Sequence, residues 1–289
     1  MLYQLSYSRL GVGAGKSTQH SADTKHLGGV TFEFYWWGIR VAGEDDHTRW
    51  CYPGTGIAYE DIVQLLGRES LVVSPHSSSM KVLIFGASGA TGRQLVQQAL
   101  DQQYSVTAFV RNPDKLKLKH TNLRVVQGDV LEPETVEKAV PGHDAVLLAL
   151  GVRKNQSGDT TLSDGTQHIL ECMQRYGVRR LICESSLGVG SSKNEASFVF
   201  SKIIAPLFLK HIMADKERQE ALIQHSNLDW TIVRPAGLTN SKASGGYKVA
   251  LSFANAKIKG RISRADVAQF MLQQLTTDAF VGRAVGISY

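Results

Sequence analysis

The residues best suited to chemistry are Gly86-Ala87-Ser88-Gly89-Ala90-Thr91-Gly92, which directly follow the apolar run Lys81-Val82-Leu83-Ile84-Phe85. Small residues at this spacing do what bulkier ones cannot. Gly86 permits a tight turn at a strand end, Gly89 lets the backbone approach a pyrophosphate, and Gly92 lets the next helix pack on the strand. That helix then turns its unpaired N–H groups and the positive end of its dipole toward the phosphates. The spacing is G-x-x-G-x-x-G, and a glycine triplet alone is a weak signal; the strand before it and the helix after it supply the context that dinucleotide binding requires. Ser88, Ala90 and Thr91 complete the expected cradle.

A chain that binds NAD places an acid about 20 residues further on, against the ribose 2′-hydroxyl. Here the second apolar run ends at Val110-Arg111-Asn112-Pro113, with Lys115 after it. A guanidinium there pairs with a 2′-phosphate in bidentate geometry, so the expected cofactor is NADP(H). Asp129 and Val130, after the third run, are expected to border the adenine. Gly151, after the fourth, is expected to let the chain pass close to the cofactor, since strand ends are where such sheets bind ligands.

Other groups invite weaker readings. Gly13-Ala14-Gly15-Lys16-Ser17 imitates a P-loop, but Leu10 stands where the first glycine belongs and no strand precedes it. His168 and Cys172 are four apart on a helix, enough for two metal ligands but not four, and read as a packed face. Glu44-Asp45-Asp46-His47 reads as a solvated loop. Cys183 closes an apolar strand and reads as core rather than nucleophile. Lys210, His211 and Lys216 lie on a helical stretch; an approach of Lys216 to the active site is one reading, and a solvent-facing cation is the expected one.

These residues need a scaffold, and the pattern from Met80 onward provides one. Strands are predicted at 82–85, 105–110, 123–126, 145–150, 180–183, 230–233 and 284–287. Helices are predicted at 93–103, 133–140, 162–176 and 198–224, and one opens with the capping box Ser263-x-x-Asp266 and runs to Leu275. Continuous apolar strands alternating with helices define an α/β, Rossmann-like, doubly wound parallel sheet covered on both faces.

The 289 residues are 43% hydrophobic and 20% charged, a soluble globular composition. No run of about 18 apolar residues occurs, so no membrane partner is expected. Three scattered cysteines allow neither a disulfide framework nor a four-ligand zinc site, and a reduced, cytoplasmic setting is the default. The net charge of +6 divides unevenly, −2 over residues 1–79 and +8 over 80–289. That suits an anionic ligand, whereas the lack of a basic block or basic–aromatic interleaving argues against nucleic acid. Nothing marks an interface, so a monomer or weak oligomer is expected.

Residues 1–79 are read as an N-terminal extension and 80–289 as the NAD(P)-binding domain. The first segment ends in the breaker-rich Ser74-Pro75-His76-Ser77-Ser78-Ser79 and shows no sustained period, save a helical hint at Tyr59–Leu66. Met80 opening a strand is what a native start codon would leave. The extension is therefore expected to be poorly ordered or the product of a mis-set start. An organelle-targeting peptide is the competing reading, because residues 1–22 contain serines and no acid.

Lys81–Gly92, Val110-Arg-Asn-Pro113, Gly128-Asp-Val130 and Thr231-Ile-Val-Arg-Pro235 resemble the atypical short-chain dehydrogenase/reductases with a NAD(P)H-binding domain. Leu275-Thr-Thr-Asp278 resembles the biliverdin-IXβ reductase/flavin reductase branch. The resemblance spans residues 80–289 and implies an NADPH-dependent reductase acting on a flavin, a linear tetrapyrrole or a quinone. It carries over Ser185 and Ser186 as catalytic candidates, Ser186 beside the nicotinamide, and Pro235 as backbone lining. Two departures stand out. No Tyr has Lys four positions later, which disfavours a carbonyl reductase that needs such a Tyr as proton donor. The branch's histidine after the late-strand proline is Ala236 here, which leaves the acceptor open and admits a non-catalytic NADP-binding sensor or assembly factor.

Overall fold

The computed structural model describes residues 79–151, 159–193, 210–254, 256 and 258–289, together with the backbone of four strands between 23 and 51. The P-loop-like stretch, Glu44–His47 and the Tyr59–Leu66 hint lie outside the described residues, as does the start of the predicted 198–224 helix.

The chain divides into two compact units between Pro75 and His76. In the first, β1 (Asp23–Leu27), β2 (Val30–Tyr35), β3 (Gly38–Ala42) and β4 (Thr48–Cys51) form an antiparallel meander in sequential order. Periodicity predicts no strand in this stretch. The strands follow composition instead: β2 is Val-Thr-Phe-Glu-Phe-Tyr, rich in β-branched and aromatic residues, and Leu27 pairs with Val30 across Gly28-Gly29.

The second unit begins with β5 (Lys81–Phe85), α1 (Ala90–Asp101), β6 (Ser105–Val110) and β7 (Leu123–Gln127). It returns through α2 (Pro133–Ala139) to β8 (Ala145–Leu148), then α3 (Thr161–Arg175), β9 (Arg180–Glu184), α4 (Lys210–Gln224) and β10 (Asp229–Pro235). Short strands β11 (Gly237–Thr239), β12 (Lys248–Ala250) and β13 (Arg261–Ser263) precede α5 (Arg264–Gln273) and β14 (Arg283–Ser288). The sheet order is β12-β14-β10-β9-β8-β5-β6-β7, parallel except for β12, while β11 and β13 pair only with each other. The chain thus starts in the middle, winds outward to β7, and crosses back to β8 on the other side of β5. That reversal opens a crevice at the strand ends between β5 and β8.

Alternation along buried strands builds the two faces. Val82 and Ile84 point into a core shared with Leu95 and Val96 of α1 and Val267 and Met271 of α5. Leu83 and Phe85 point the other way, against Val136, Ile169, Met173 and Ile223 of α2, α3 and α4. Each such side chain removed from water contributes about 1.5–3 kcal/mol. Both faces being covered is why these strands read as unbroken apolar runs.

Asp266 ties three segments together. Ser263 caps α5 by accepting the Asp266 N–H at 3.0 Å and donates its hydroxyl back to the carboxylate at 2.7 Å. The Gly245 N–H donates to the same carboxylate at 2.8 Å and the Ser244 N–H at 3.0 Å, and the Tyr289 hydroxyl also donates to it. Burial pushes this carboxyl up, but these donors outweigh it and hold it below its ordinary value of 3.8. The ionised form is therefore the one the fold stabilises. The advantage of the wild type over Asp266→Asn in urea unfolding should be full above that ordinary value, roughly 1.5–3 kcal/mol for hydrogen bonds to a charged group, and vanish as pH falls through the lowered one.

Candidate functional site

The turn after β5 is shaped by contacts that leave no room for side chains. Gly86 has φ +77°, and a Cβ on it would stand 2.2 Å from the Ala149 carbonyl oxygen just past β8. A Cβ on Gly92 would stand 2.1 Å from the Gly86 carbonyl oxygen. The Gly89 N–H closes the turn onto that carbonyl at 2.9 Å. Helix α1 begins at Ala90, three residues before the predicted start, and its N-cap Gly89 offers no side chain to the first-turn N–H groups. The donors of Ala90, Thr91 and Gly92 have no partner within the helix, at the mouth of the crevice. This cradle fits a pyrophosphate.

Two guanidinium groups border the turn after β6. Arg111 is exposed, and Asn112 caps the short 3₁₀ turn Pro113–Lys115 by accepting the Asp114 N–H at 2.9 Å. Arg93, one residue past the glycine motif, donates to the Lys115 carbonyl at 3.0 Å. Arg93 therefore joins Arg111 and exposed Lys115 at the strand end where a ribose 2′-phosphate would sit. Sequence reading passed over it, although it follows Gly92 directly.

The remaining expected nucleotide contacts differ in character. Asp129 is half-buried, with its N–H and carbonyl both bound to the Thr135 hydroxyl. Val130 is buried beneath α3, where a Cβ on Gly165 would fall 2.6 Å from it, and its carbonyl meets the His168 ring at 2.9 Å. His168 and buried Cys172 thus serve packing of α3. Gly151 is exposed, and a Cβ on it would meet nothing within 4 Å, so the close approach at this strand end belongs to Ala149.

At the ends of β9 and β10 the two serines take different surroundings. Ser185 is buried; its N–H donates to Val233 at 2.7 Å and its hydroxyl to the Glu220 carboxylate. Glu220 is in turn gripped by Arg234 through Nε at 3.0 Å and Nη2 at 2.6 Å, with both side chains 2% exposed. Arg234 also donates to Ser191 at 2.8 Å. Ser185 thus belongs to a buried polar lock, whereas Ser186 is half-buried and, among the described residues, its hydroxyl meets only the Leu187 carbonyl, at 3.2 Å. The Leu187 N–H donates to Pro235 at 2.9 Å, which brings Ser186 and Pro235 to adjacent strand ends. Beside them Leu187, Ala236, Ala250 and Phe253 form an apolar cluster.

Glu184 links this region to the phosphate turn. It is buried and accepts the Thr91 hydroxyl at 2.9 Å, and burial pushes its carboxyl up against the opposing pull of Lys216, Thr91 and Arg264. Lys216, expected to face solvent, is half-buried and donates to the Glu184 carbonyl at 3.3 Å. Its neighbour Asp215 is fully buried and accepts the Leu162 N–H at 2.9 Å and the Ser163 hydroxyl at 2.6 Å, capping α3 from another helix. Burial pushes the Cys183 thiol up to about 12, which keeps it inert as core.

A doubly wound sheet with an uncapped helix N-terminus at its switch point defines a dinucleotide-binding domain. Residues 86–278 match the NAD(P)H-binding family, and the chain belongs to it. It is 29% identical over 215 residues to the "uncharacterized sugar epimerase YhfK" of Bacillus subtilis, covering 72% of this chain and 94% of that protein. It is 30% identical over 162 residues to the photosystem II assembly factor Ycf39 of Synechocystis, covering 55% of this chain and 45% of that protein. The solved structure of ChuY, an anaerobilin reductase from Escherichia coli O157:H7, superposes with TM-score 0.61 at 24% identity, over 72% of this chain and 97% of that one. Among the described residues no helix is long and apolar enough to cross a membrane.

Gly89 and Gly92 should separate binding from folding. Gly89→Val, whose Cβ would stand 3.1 Å from the Gly86 carbonyl oxygen, should keep a cooperative thermal transition less shifted than that of Gly92→Ala and lose NADPH binding in a fluorescence titration. Gly92→Ala, with backbone 2.1 Å from the new Cβ, should instead lose about 1–3 kcal/mol of stability.

Proposed function

We propose that the protein is an NADPH-dependent reductase whose acceptor is a flat conjugated ring system, either a flavin such as FMN or riboflavin or a biliverdin-like tetrapyrrole. The observation that carries this reading is the apolar cluster of Leu187, Ala236, Ala250 and Phe253 beside Ser186, at the ends of β9 and β10. Bound NADPH supplies a hydride. The chain's own residues hold the cofactor and exclude water from the acceptor. The turn from Gly86 to Gly92 takes the pyrophosphate, Arg93, Arg111 and Lys115 take the 2′-phosphate, and Asp129 and Val130 flank the adenine. Gly151 lies along the path of the chain past the nucleotide, and Pro235 lines the nicotinamide with backbone alone.

Ser186 donates a hydrogen bond to the acceptor or the carboxamide, while Ser185 acts through Glu220 as a positioning residue. Lys216 keeps a positive charge at the end of β9, and the position four residues before it is Ile212 rather than a tyrosine. A ring that takes its proton from water has no need of that tyrosine. This favours flavins and tetrapyrroles over simple carbonyls and leaves quinones or enones as acceptors of the same kind. The reductase activity named for the Escherichia coli neighbour is of the same reaction type.

A second reading, an NADP-binding assembly factor or redox sensor without turnover, draws on two observations. Ser185 is committed to Glu220, and Ala236 offers no polar group at the strand end. The similarity to an assembly factor points the same way.

NADPH absorbance followed with excess FMN, riboflavin and biliverdin separates the two. Rapid oxidation with one acceptor is expected; tight NADPH binding without oxidation by any acceptor would overturn the reductase reading. In the same protein, Arg111→Ala and Arg93→Ala should each weaken NADPH about 10- to 100-fold, the scale of one charge-assisted contact, with NADH affinity unchanged. Equal losses for both nucleotides would remove the 2′-phosphate assignment.

A further inference from the structure

A groove of about 510 Å³ lies beyond the ends of β11 and β14, apart from the residues assigned to the nucleotide. Lys242, Lys259 and Arg261 line it from separate segments: the loop after β11, the turn before β13, and β13 itself. Thr239, Ser241 and Ser244 add hydroxyls, and the Thr239 and Ser241 hydroxyls lie 2.8 Å apart. Among the described residues none of the three cations has a carboxylate partner, whereas Arg175, Arg179, Lys193, Arg218 and Arg234 each pair with one. Asp266, which borders the groove through the lining residues Ser244 and Tyr289, is buried, and its carboxylate is occupied by Ser263, Tyr289 and the N–H groups of Ser244 and Gly245. Three cations with hydroxyl donors, beside a carboxylate whose oxygens are already taken by protein donors, make a receptor for an oxyanion.

The groove also has a definite relation to the reacting end of the site. β11 continues from β10, and Thr239 stands three residues beyond Ala236, about 10 Å along extended chain. The 2′-phosphate corner at the end of β6 is five strand spacings from β14, about 24 Å at 4.8 Å per spacing, so one phosphate cannot serve both places. A ring placed against the Ala236 cluster, with an acidic arm about 10 Å long, would put that arm in the groove.

We propose that this groove is an oxyanion site that takes the phosphate or carboxylate arm of the acceptor. The oxyanion site stands on the groove alone; its assignment to the acceptor rests on the reductase reading. Two measurements on the full chain test these separately. In the first, inorganic phosphate and, separately, succinate are titrated at constant ionic strength while amide resonances are followed. Saturable shifts are expected in residues 239–246 and 259–261, weakened roughly tenfold or more in Arg261→Gln and in Lys259→Gln, with NADPH affinity unchanged. Tighter phosphate marks a phosphate arm, and tighter succinate a carboxylate arm. No saturable shift there, or shifts confined to the surroundings of Arg93 and Arg111, would overturn the site. If one variant fails to fold, the other carries the test.

In the second, FMN and riboflavin binding to the NADP⁺-saturated protein is compared. For a phosphate arm, FMN should bind more tightly by a similar factor, and Arg261→Gln should erase that difference without changing riboflavin. Saturable anion binding in the groove with no affinity for either flavin supports the oxyanion site while overturning flavin as the acceptor. Equal binding of both flavins to the wild type, in a protein whose groove prefers phosphate, overturns the assignment of the groove to the acceptor arm.

Discussion

The functional end of this molecule depends on one missing side chain. At Gly86 the backbone passes so close to the Ala149 carbonyl that a Cβ would overlap it, and φ there is positive. Because that contact joins the end of β5 to the segment after β8, it fixes the two lips of the crevice at the point where the winding of the sheet reverses. Helix α1 inherits its start from the same turn. With Gly89 at the cap and Gly92 pressed on Gly86, the first-turn N–H groups are left for a ligand rather than for the protein.

A second constraint works from the other side of the sheet. Glu220 and Arg234 are almost entirely buried, and desolvating two charges is costly unless their hydrogen bonds are well satisfied. Here they are: the carboxylate takes two bonds from the guanidinium and one from Ser185, and Arg234 reaches on to Ser191. The geometry of the loop after β9 follows, since Gly190 sits with positive φ where any Cβ would strike the guanidinium. Asp215 and Lys216 extend the same logic along α4. One residue caps α3 and the next binds the end of β9, so the helix cannot turn on its axis without breaking both.

Much of this was legible in the residues. The apolar runs placed the parallel strands of the main sheet, because strands buried on both faces have no choice but to be apolar; edge strand β7, largely exposed, is the exception and is legible in its Val125-Val126 pair. Ser263-x-x-Asp266 announced the start of α5 because a capping box is a local interaction. What escaped was either small-residue helix or long-range chemistry. Ala90-Thr91-Gly92 reads as turn, yet it is helical because the packing of Gly92 on Gly86 decides it. Strands β11, β12 and β13 are three residues each, too short to show a period. The Glu220–Arg234 pair and the inward reach of Lys216 come from tertiary packing that no spacing encodes. The meander of residues 23–51 left one clue unused, Gly28-Gly29 between a leucine and a β-forming run.

The pairing of β11 with β13, outside the main sheet, has a consequence for how such a molecule diverges. The ladder from β7 to β14 is complete without them, so within residues 237–263 the points held to the nucleotide half are few: Ser244 and Gly245 on Asp266, and the Ser263 cap of α5. Among the described residues of that stretch, β12 is bound to the main sheet through three residue pairs on its outer edge, and Lys259 and Arg261 bond the backbone of Tyr289 just past β14. Inheritance can therefore act on the two halves of the strand ends at different rates. The half before Leu150 is frozen by sterics, and the half after Pro235 can drift between these few fixed points toward new small molecules while the nucleotide turn stays the same.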